Sequence, residues 1–227
     1  MPEKMSVSRL YPTVLDGTEA DGEDVFEGRK EKSEPIPSFI SPDKQRESAK
    51  RGIATHNFLQ FFDIENLKNN GTDAELERLK AKGFLSEKTA ALVRREELTL
   101  FAKSELFNAM QSAKKLYREF RFNTKLPAFL FTSDEEKKEK YKGHHVLVQG
   151  VIDCLIENED GSLRLIDYKT DRLTKEELAD EKLAAKKLSA AHSLQLSYYA
   201  LAVEKIFGKK PEKTEVYSLP LGKTVSV

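Results

Sequence analysis

The amino-acid sequence predicts a mixed α/β fold. Three features predict it: a block over 52–115 with helical periodicity, two apolar runs joined by a glycine-ended turn over 146–168, and a long amphipathic stretch over 175–206 with a short β-rich run after it. The 227 residues suit one domain with an appendage and can bury a real core. With 38 basic and 38 acidic side chains the formal net charge is zero, so a nucleic-acid surface requires basic residues segregated onto one side.

Residues 1–51 read as an extended linker or N-terminal arm. Asp16, Glu19, Asp21, Glu23, Asp24 and Glu27 form an acidic stretch, and Arg29, Lys30, Lys32, Pro35, Pro37 and Pro42 follow without apolar periodicity. A helix starts near Gly52, with Ile53, Phe58, Leu59, Phe61 and Phe62 as its apolar face. Thr72-Asp73 starts another that Gly83 stops, and helices over 86–95 and 98–110 complete the helical part, 52–115. The sheet core, 116–227, opens with a strand over 116–122 whose Leu116, Arg118, Phe120 and Phe122 share a face, and strand character continues at 129–131. A charged loop spans 134–142, strands span 146–156 and 163–168, a helix spans 175–206 with a break near Ser189, and a last strand spans 215–219. Gly222-Lys223-Thr224 is not a phosphate loop, because Tyr217 stands where the earlier glycine is needed.

The hairpin carries the chemistry. A three-residue loop, Glu159-Asp160-Gly161, puts glycine at the left-handed position and pairs Asn158 with Ser162. Counting back pairs Asp153 with Asp167 as cross-strand neighbours, with Lys169 on the same face. Val151, Leu155, Leu163 and Leu165 share that face, so the charges lie at the edge of an apolar surface. Adjacent carboxylates repel, and one stays protonated without a counter-charge. A hard divalent cation resolves the conflict, since it takes carboxylate oxygens together with water and phosphate oxygens. The competing reading is an Asp–Lys surface pair without function.

Gly150-Val151-Ile152-Asp153, Asp167-Tyr168-Lys169-Thr170 and Gln195-Leu196-Ser197-Tyr198-Tyr199 resemble, in order, the G-x-x-D strand, the D-Y-K-T strand end and the Q-x-x-x-Y helix of RecB-type PD-(D/E)XK nucleases. Upstream, Arg51-Gly52-Ile53-Ala54-Thr55-His56 is similar to the family's G-x-x-x-H helix start, and Arg118-Glu119-Phe120-Arg121-Phe122 to its acidic strand. Each match alone is weak; five in order are specific. Within the family, Ser6-Val7-Ser8-Arg9-Leu10 is similar to the start of the linker between helicase and nuclease in AddA-type helicase–nucleases. The resemblance implies a restriction-endonuclease-like core, a mixed central sheet flanked by helices, with an added N-terminal helical block, the nuclease domain occupying 52–227.

The resemblance also implies roles. Asp153, Asp167 and Lys169 are the catalytic set; His56, Asp153, Asp167 and the Tyr168 carbonyl hold the metal; Glu119, Thr170, Gln195 and Tyr199 border the site or touch DNA. Arg172 is a further phosphate-contact candidate. For His56 the alternative is a histidine bonded to backbone, for Glu119 an ion pair with Arg118 or Arg121, and for Gln195 and Tyr199 helix packing. The expected metal is Mg²⁺, with Mn²⁺ an effective substitute because of the histidine.

The implied function is a Mg²⁺-dependent deoxyribonuclease domain cutting single-stranded DNA, exonucleolytic from 3′ to 5′ within a full helicase–nuclease of double-strand break repair and recombination. The implied partners are DNA, the helicase part of a longer parent chain, and AddB or a similar protein. The alternative is a non-catalytic DNA-guiding or docking module that keeps the nuclease fold. One cysteine, Cys154, excludes a four-cysteine iron–sulfur cluster and suits a reducing cytoplasm. No apolar run reaches the roughly 20 residues of a membrane span, and Met1-Pro2-Glu3-Lys4 leads into no signal-peptide pattern.

Overall fold

The structure, a computed structural model, describes residues 4–6, 42–132 and 134–227. The acidic stretch and most of the expected arm lie outside those residues, as do residues 7–10 of the Ser6-Val7-Ser8-Arg9-Leu10 match. Strand β1 (Lys4–Ser6) and helix α1 (Pro42–Phe61) fall within the described part. Helix α1 thus begins at Pro42 rather than near Gly52. Proline suits a first helical position, where its missing N–H has no intrahelical partner anyway. The charged residues over 43–50 carry no apolar period to reveal the helix. Phe58, Leu59 and Phe62 are buried as expected, whereas Ile53 is 58% exposed.

The helical block continues as α2 (Ile64–Ala81), α3 (Glu87–Ala90), α4 (Arg95–Ala102) and α5 (Glu105–Gln111). Gly71, at φ 80°, breaks α2 immediately before the Thr72 expected to start a helix. The single helix expected over 98–110 is two, because the Ser104 hydroxyl accepts from the Phe107 N–H and starts α5 afresh.

Strands β2 (Lys115–Pro127), β3 (His145–Glu157), β4 (Leu163–Lys169), β5 (Lys213–Ser218) and β6 (Lys223–Ser226) join β1 in a six-stranded mixed sheet of order β1-β3-β4-β5-β6, with β2 also on β3. Strand β2 runs antiparallel along all of β3, while β1 and β4 share the opposite edge. Pro127 ends β2, and 129–131 forms a 3-10 turn, Ala128–Phe131, rather than strand. The charged loop expected over 134–142 contains α6 (Glu135–Lys140), started by the Asp134 carboxylate. The long helix breaks at Asp180 rather than Ser189, giving α7 (Lys175–Ala179) and α8 (Glu181–Phe207), because Asp180 accepts from the Lys182 and Leu183 N–H groups. Strand β6 lies past the last expected element.

The helical block covers one face of the sheet, with Phe58, Phe101 and Phe107 packed in one cluster with Cys154, Ile166, Tyr168 and Tyr217. Helix α8 covers the other, with Leu188, Leu196 and Val203 against Ile152, Leu155, Leu165 and Val216. Helices therefore flank a mixed sheet, the expected restriction-endonuclease-like arrangement.

One fault in this sheet matters for function. Along β3, Val148 and Ile152 face α8, but so does Leu155, while Cys154 and Ile156 face the helical block. The alternation slips at Asp153. It slips on β2 at the same level: Leu116 faces the helical block, whereas Phe120 and Phe122 face α8. The β2–β3 pairing keeps one register on both sides of the slip, skipping only Glu119 opposite Asp153. Glu119 has φ 49°, which an ordinary strand residue avoids. Arg118 therefore does not share a face with Phe120. Its guanidinium lies 3.9 Å from the centre of the Phe62 ring and donates to the Phe62 carbonyl at 2.6 Å, tying β2 to the end of α1.

Arg118→Ala is expected to lower stability by ~2 kcal/mol, from the lost charged hydrogen bond and ring contact. Urea unfolding reads it, and an unchanged midpoint would show that the tie contributes nothing.

Candidate active site

The turn forms as counted: the Asn158 N–H donates to Ser162 O at 3.0 Å, the Gly161 N–H donates to Asn158 O at 2.9 Å, and Gly161 has φ 80°. Pairing then runs from Glu157–Leu163 to Cys154–Ile166 and stops. The expected Asp153–Asp167 pair is thus in register but not in the ladder, because the strands part there. The Tyr168 N–H is satisfied by Asp153 Oδ2, at 2.8 Å. Strand β4 stays extended past this point because β5 pairs with it through Lys169–Ser218.

Asp167 and Lys169 share a face, as the alternation requires. Asp167 is 3% and Lys169 8% exposed. Lys169 Nζ lies 2.7 Å from Asp167 Oδ2, a buried ion pair. Lys169 Nζ also donates to Gln195 Oε1 at 3.2 Å, and Gln195 Nε2 donates to Tyr199 Oη at 3.2 Å. Residues four apart on α8 thus brace the end of β4. Tyr199 has a second contact: a Cβ at residue 150 would lie 3.1 Å from its ring and 2.7 Å from that of Phe122, so only glycine fits there.

His56 reaches the same place from the helical side. Its Nε2 donates to the Tyr168 carbonyl at 3.1 Å, and its Nδ1 lies 3.5 Å from Asp153 Oδ1 and 4.0 Å from Glu119 Oε1. The turn of the backbone at Glu119 brings its carboxylate to His56, rather than into the ion pair with Arg118 or Arg121 that was the alternative. The Tyr168 ring packs edge-on to Phe101 and Tyr217 in the core. Thr170 is half-buried beside the site and makes no side-chain hydrogen bond among the described residues.

The electrostatics follow from burial against pairing. Burial pulls the His56 pKa down, but the Asp153 and Asp167 charges overcome it and raise it to about 9. Burial pushes Asp153 up, yet His56, Lys169 and the Tyr168 N–H hold its carboxyl below the usual range. Asp167 stays above its ordinary value, through burial first and Asp153 next, against Lys169. Glu119 is raised by burial and by Asp153. Lys169 is lowered by burial but raised more by Asp167 and Asp153, so it remains charged.

His56, Glu119 and Asp153 each offer an atom within 4.8 Å of the others. Two carboxylates and an imidazole, with the Tyr168 carbonyl adjoining, are a donor set that fits Mg²⁺ or Mn²⁺. Asp167 stands apart from that trio, paired with Lys169. One further pair has no counterpart among the residues singled out from the sequence. His192, 6% exposed on α8, lies 3.3 Å from Asp171 Oδ2. Its place three residues before Gln195, on the same helix face, is the signal that the sequence offers for it.

A family model described as the PD-(D/E)XK nuclease superfamily matches residues 29–225. The A-subunit of the ATP-dependent helicase/nuclease of Thermoanaerobacter sp. strain X514 is 30% identical over 219 residues, 96% of this chain and 17% of that protein. The protein of the same name from Heliobacterium modesticaldum is 31% identical over 192 residues, 84% of this chain and 13% of that protein. That from Clostridium botulinum strain Loch Maree is 27% identical over 218 residues, 96% and 16%. The chain thus spans less than a fifth of the length of these curated relatives.

The raised His56 pKa has a sign. Its stabilisation is complete below the unfolded value of 6.5 and is lost as pH rises through about 9. In chelator, the protein is expected to lose ~2 kcal/mol of stability over that window, a figure reduced for the imidazole's partial exposure. His56→Asn should flatten the loss in melts taken across the window; an equal loss in the variant would place the titration elsewhere.

Proposed function

The chain belongs to the PD-(D/E)XK nuclease superfamily, and from that premise we propose that it is a metal-dependent deoxyribonuclease domain hydrolysing phosphodiester bonds of single-stranded DNA. The observation that carries this reading is the convergence of His56, Glu119 and Asp153 beside the Asp167–Lys169 pair. Asp153, Asp167, His56 and the Tyr168 carbonyl would hold Mg²⁺ or Mn²⁺, with Glu119 bordering them. When bound, such an ion polarises the scissile phosphate and makes a water more acidic.

The remaining work falls to the chain's own groups. Lys169 Nζ, kept charged by Asp167, faces the position where negative charge gathers on the phosphorus oxygens, and it orients the attacking water. Gln195 fixes that ammonium and is itself held by Tyr199, so the cation is positioned before substrate arrives. His56 gives up its proton before its ring nitrogen can act as a ligand. The relatives' name, that of an ATP-dependent helicase/nuclease, supports a place for this domain at the nuclease end of such a machine. In that setting it acts from 3′ to 5′ during double-strand break repair and recombination in the cytoplasm, beside its own helicase part and an AddB-like partner.

Purified protein is expected to cut a labelled single strand with Mg²⁺ or Mn²⁺ and not with EDTA. Asp167→Ala should abolish cutting with the fold intact. Lys169→Ala should keep Mn²⁺ binding in calorimetry but slow cutting by roughly 10²- to 10³-fold. Cutting in EDTA, or by Asp167→Ala, would refute the assignment.

A further inference from the structure

A cleft of about 390 Å³ opens on the helical block, away from the residues so far described. Arg51, Arg94 and Arg95 line it, with Glu47 and Glu96. Arg51 is 9% exposed, yet its Nε has no hydrogen-bond partner among the described residues, and its remaining side-chain contact is a long one, 3.4 Å from Nη2 to the Ser48 hydroxyl. A buried guanidinium carries donors in a planar fork, and leaving them unfilled is costly. The neighbouring charges sharpen the problem. Arg94 and Arg172 both act on Arg51 by repulsion, more than Glu47 attracts it. Glu97 attracts it too but is engaged by Arg94 at 2.8 Å, and Arg95 is engaged by Asp73 at 2.7 Å.

The cleft has a second cationic feature. Helix α4 starts at its wall: Arg94 is the N-cap and supplies no side-chain cap, and the first intrahelical bond is the Leu98 N–H to the Arg94 carbonyl, at 3.2 Å. The amides of the first turn therefore point outward without a side-chain acceptor, an arrangement that favours an oxyanion.

We propose that this cleft is a phosphate subsite, in which the Arg51 fork and the start of α4 hold a backbone phosphate of the DNA strand that the carboxylate centre cuts. The inference rests on the nuclease reading for its ligand. Placement supports it. Arg172 follows Lys169 by three residues where the chain leaves β4. Arg172 acts on Arg51 by repulsion, so the cleft lies within electrostatic reach of that exit from β4. Arg51 grips the polyanion without reading sequence.

The test is binding of a fluorescent single-stranded oligonucleotide in EDTA, followed across a salt series, for the unaltered chain, Arg51→Gln, Arg51→Lys and Arg172→Gln. Arg51→Gln is expected to weaken binding about tenfold and to lower the slope of log affinity against log salt by about 0.7, one phosphate on a single strand. Arg51→Lys should keep the slope while losing part of the affinity, because charge remains and the fork does not. Arg172→Gln, at an exposed position outside the cleft lining, should move affinity and slope in the same direction, and Arg51→Lys decides the matter if Arg51→Gln fails to fold. An unaltered slope in folded Arg51→Gln, or unaltered affinity in Arg51→Lys, would overturn the subsite. The readout needs no metal and no cleavage, so a chain that cuts nothing can still show the subsite, and a chain that cuts can lack it.

Discussion

The hydrogen bond from the Tyr168 N–H to the Asp153 carboxylate organises the whole site. It exists because β3 and β4 stop pairing at Cys154–Ile166 while β4 is still held by β5. A buried amide left without its ladder partner needs an acceptor. A charged carboxylate is a strong one, and accepting this bond helps to keep Asp153 ionised where burial alone would protonate it. With Asp153 fixed, the Tyr168 carbonyl on the same strand is free to accept from His56. One parted pair of strands thus aims a carboxylate, a carbonyl and an imidazole at a common place.

Much of this is legible in the sequence. Gly161 at the left-handed turn position sets the hairpin register, and the observed pairing follows the count residue by residue. The four-residue spacing of Gln195 and Tyr199 puts them on one helix face, and Lys169 meets that face from β4. What the sequence does not disclose is the joint slip of β2 and β3 at Glu119 and Asp153. Alternation predicts faces only while every residue stays extended. A single positive φ at Glu119 reverses the pattern, and nothing in a glutamate's identity announces one. Helix α1 reads short from the sequence for a different reason: its first half is charged, and periodicity of apolar residues cannot show a helix that has none there.

Several carboxylates near one another in a low dielectric demand cations, and the fold supplies two kinds. Lys169 is buried, paired and charged throughout the physiological range, so it can serve as a constant positive field. His56 is charged only because its acidic neighbours make it so. An imidazolium can therefore balance Asp153 when no metal is bound, and the same ring, once deprotonated, has a nitrogen lone pair to offer in its place. Exchange of proton for metal keeps the charge near balance in both states, which lets the carboxylates stay clustered without an ion to hold them.

A chain with no net charge has no overall field to draw in DNA. Its own centre sets three carboxylates against two cations and offers a phosphate backbone no net attraction until a metal is present. Attraction has to be local, and it has to lie beside the carboxylates rather than among them, since arginines placed within the centre would pair with the carboxylates and fill the acceptor sites that a metal needs. The helical block meets that requirement. It carries His56 on α1, and five residues earlier on the same helix, on a different face, it carries Arg51. The helix that supplies a candidate metal ligand therefore also carries the candidate grip on the strand, and both stand on one rigid element.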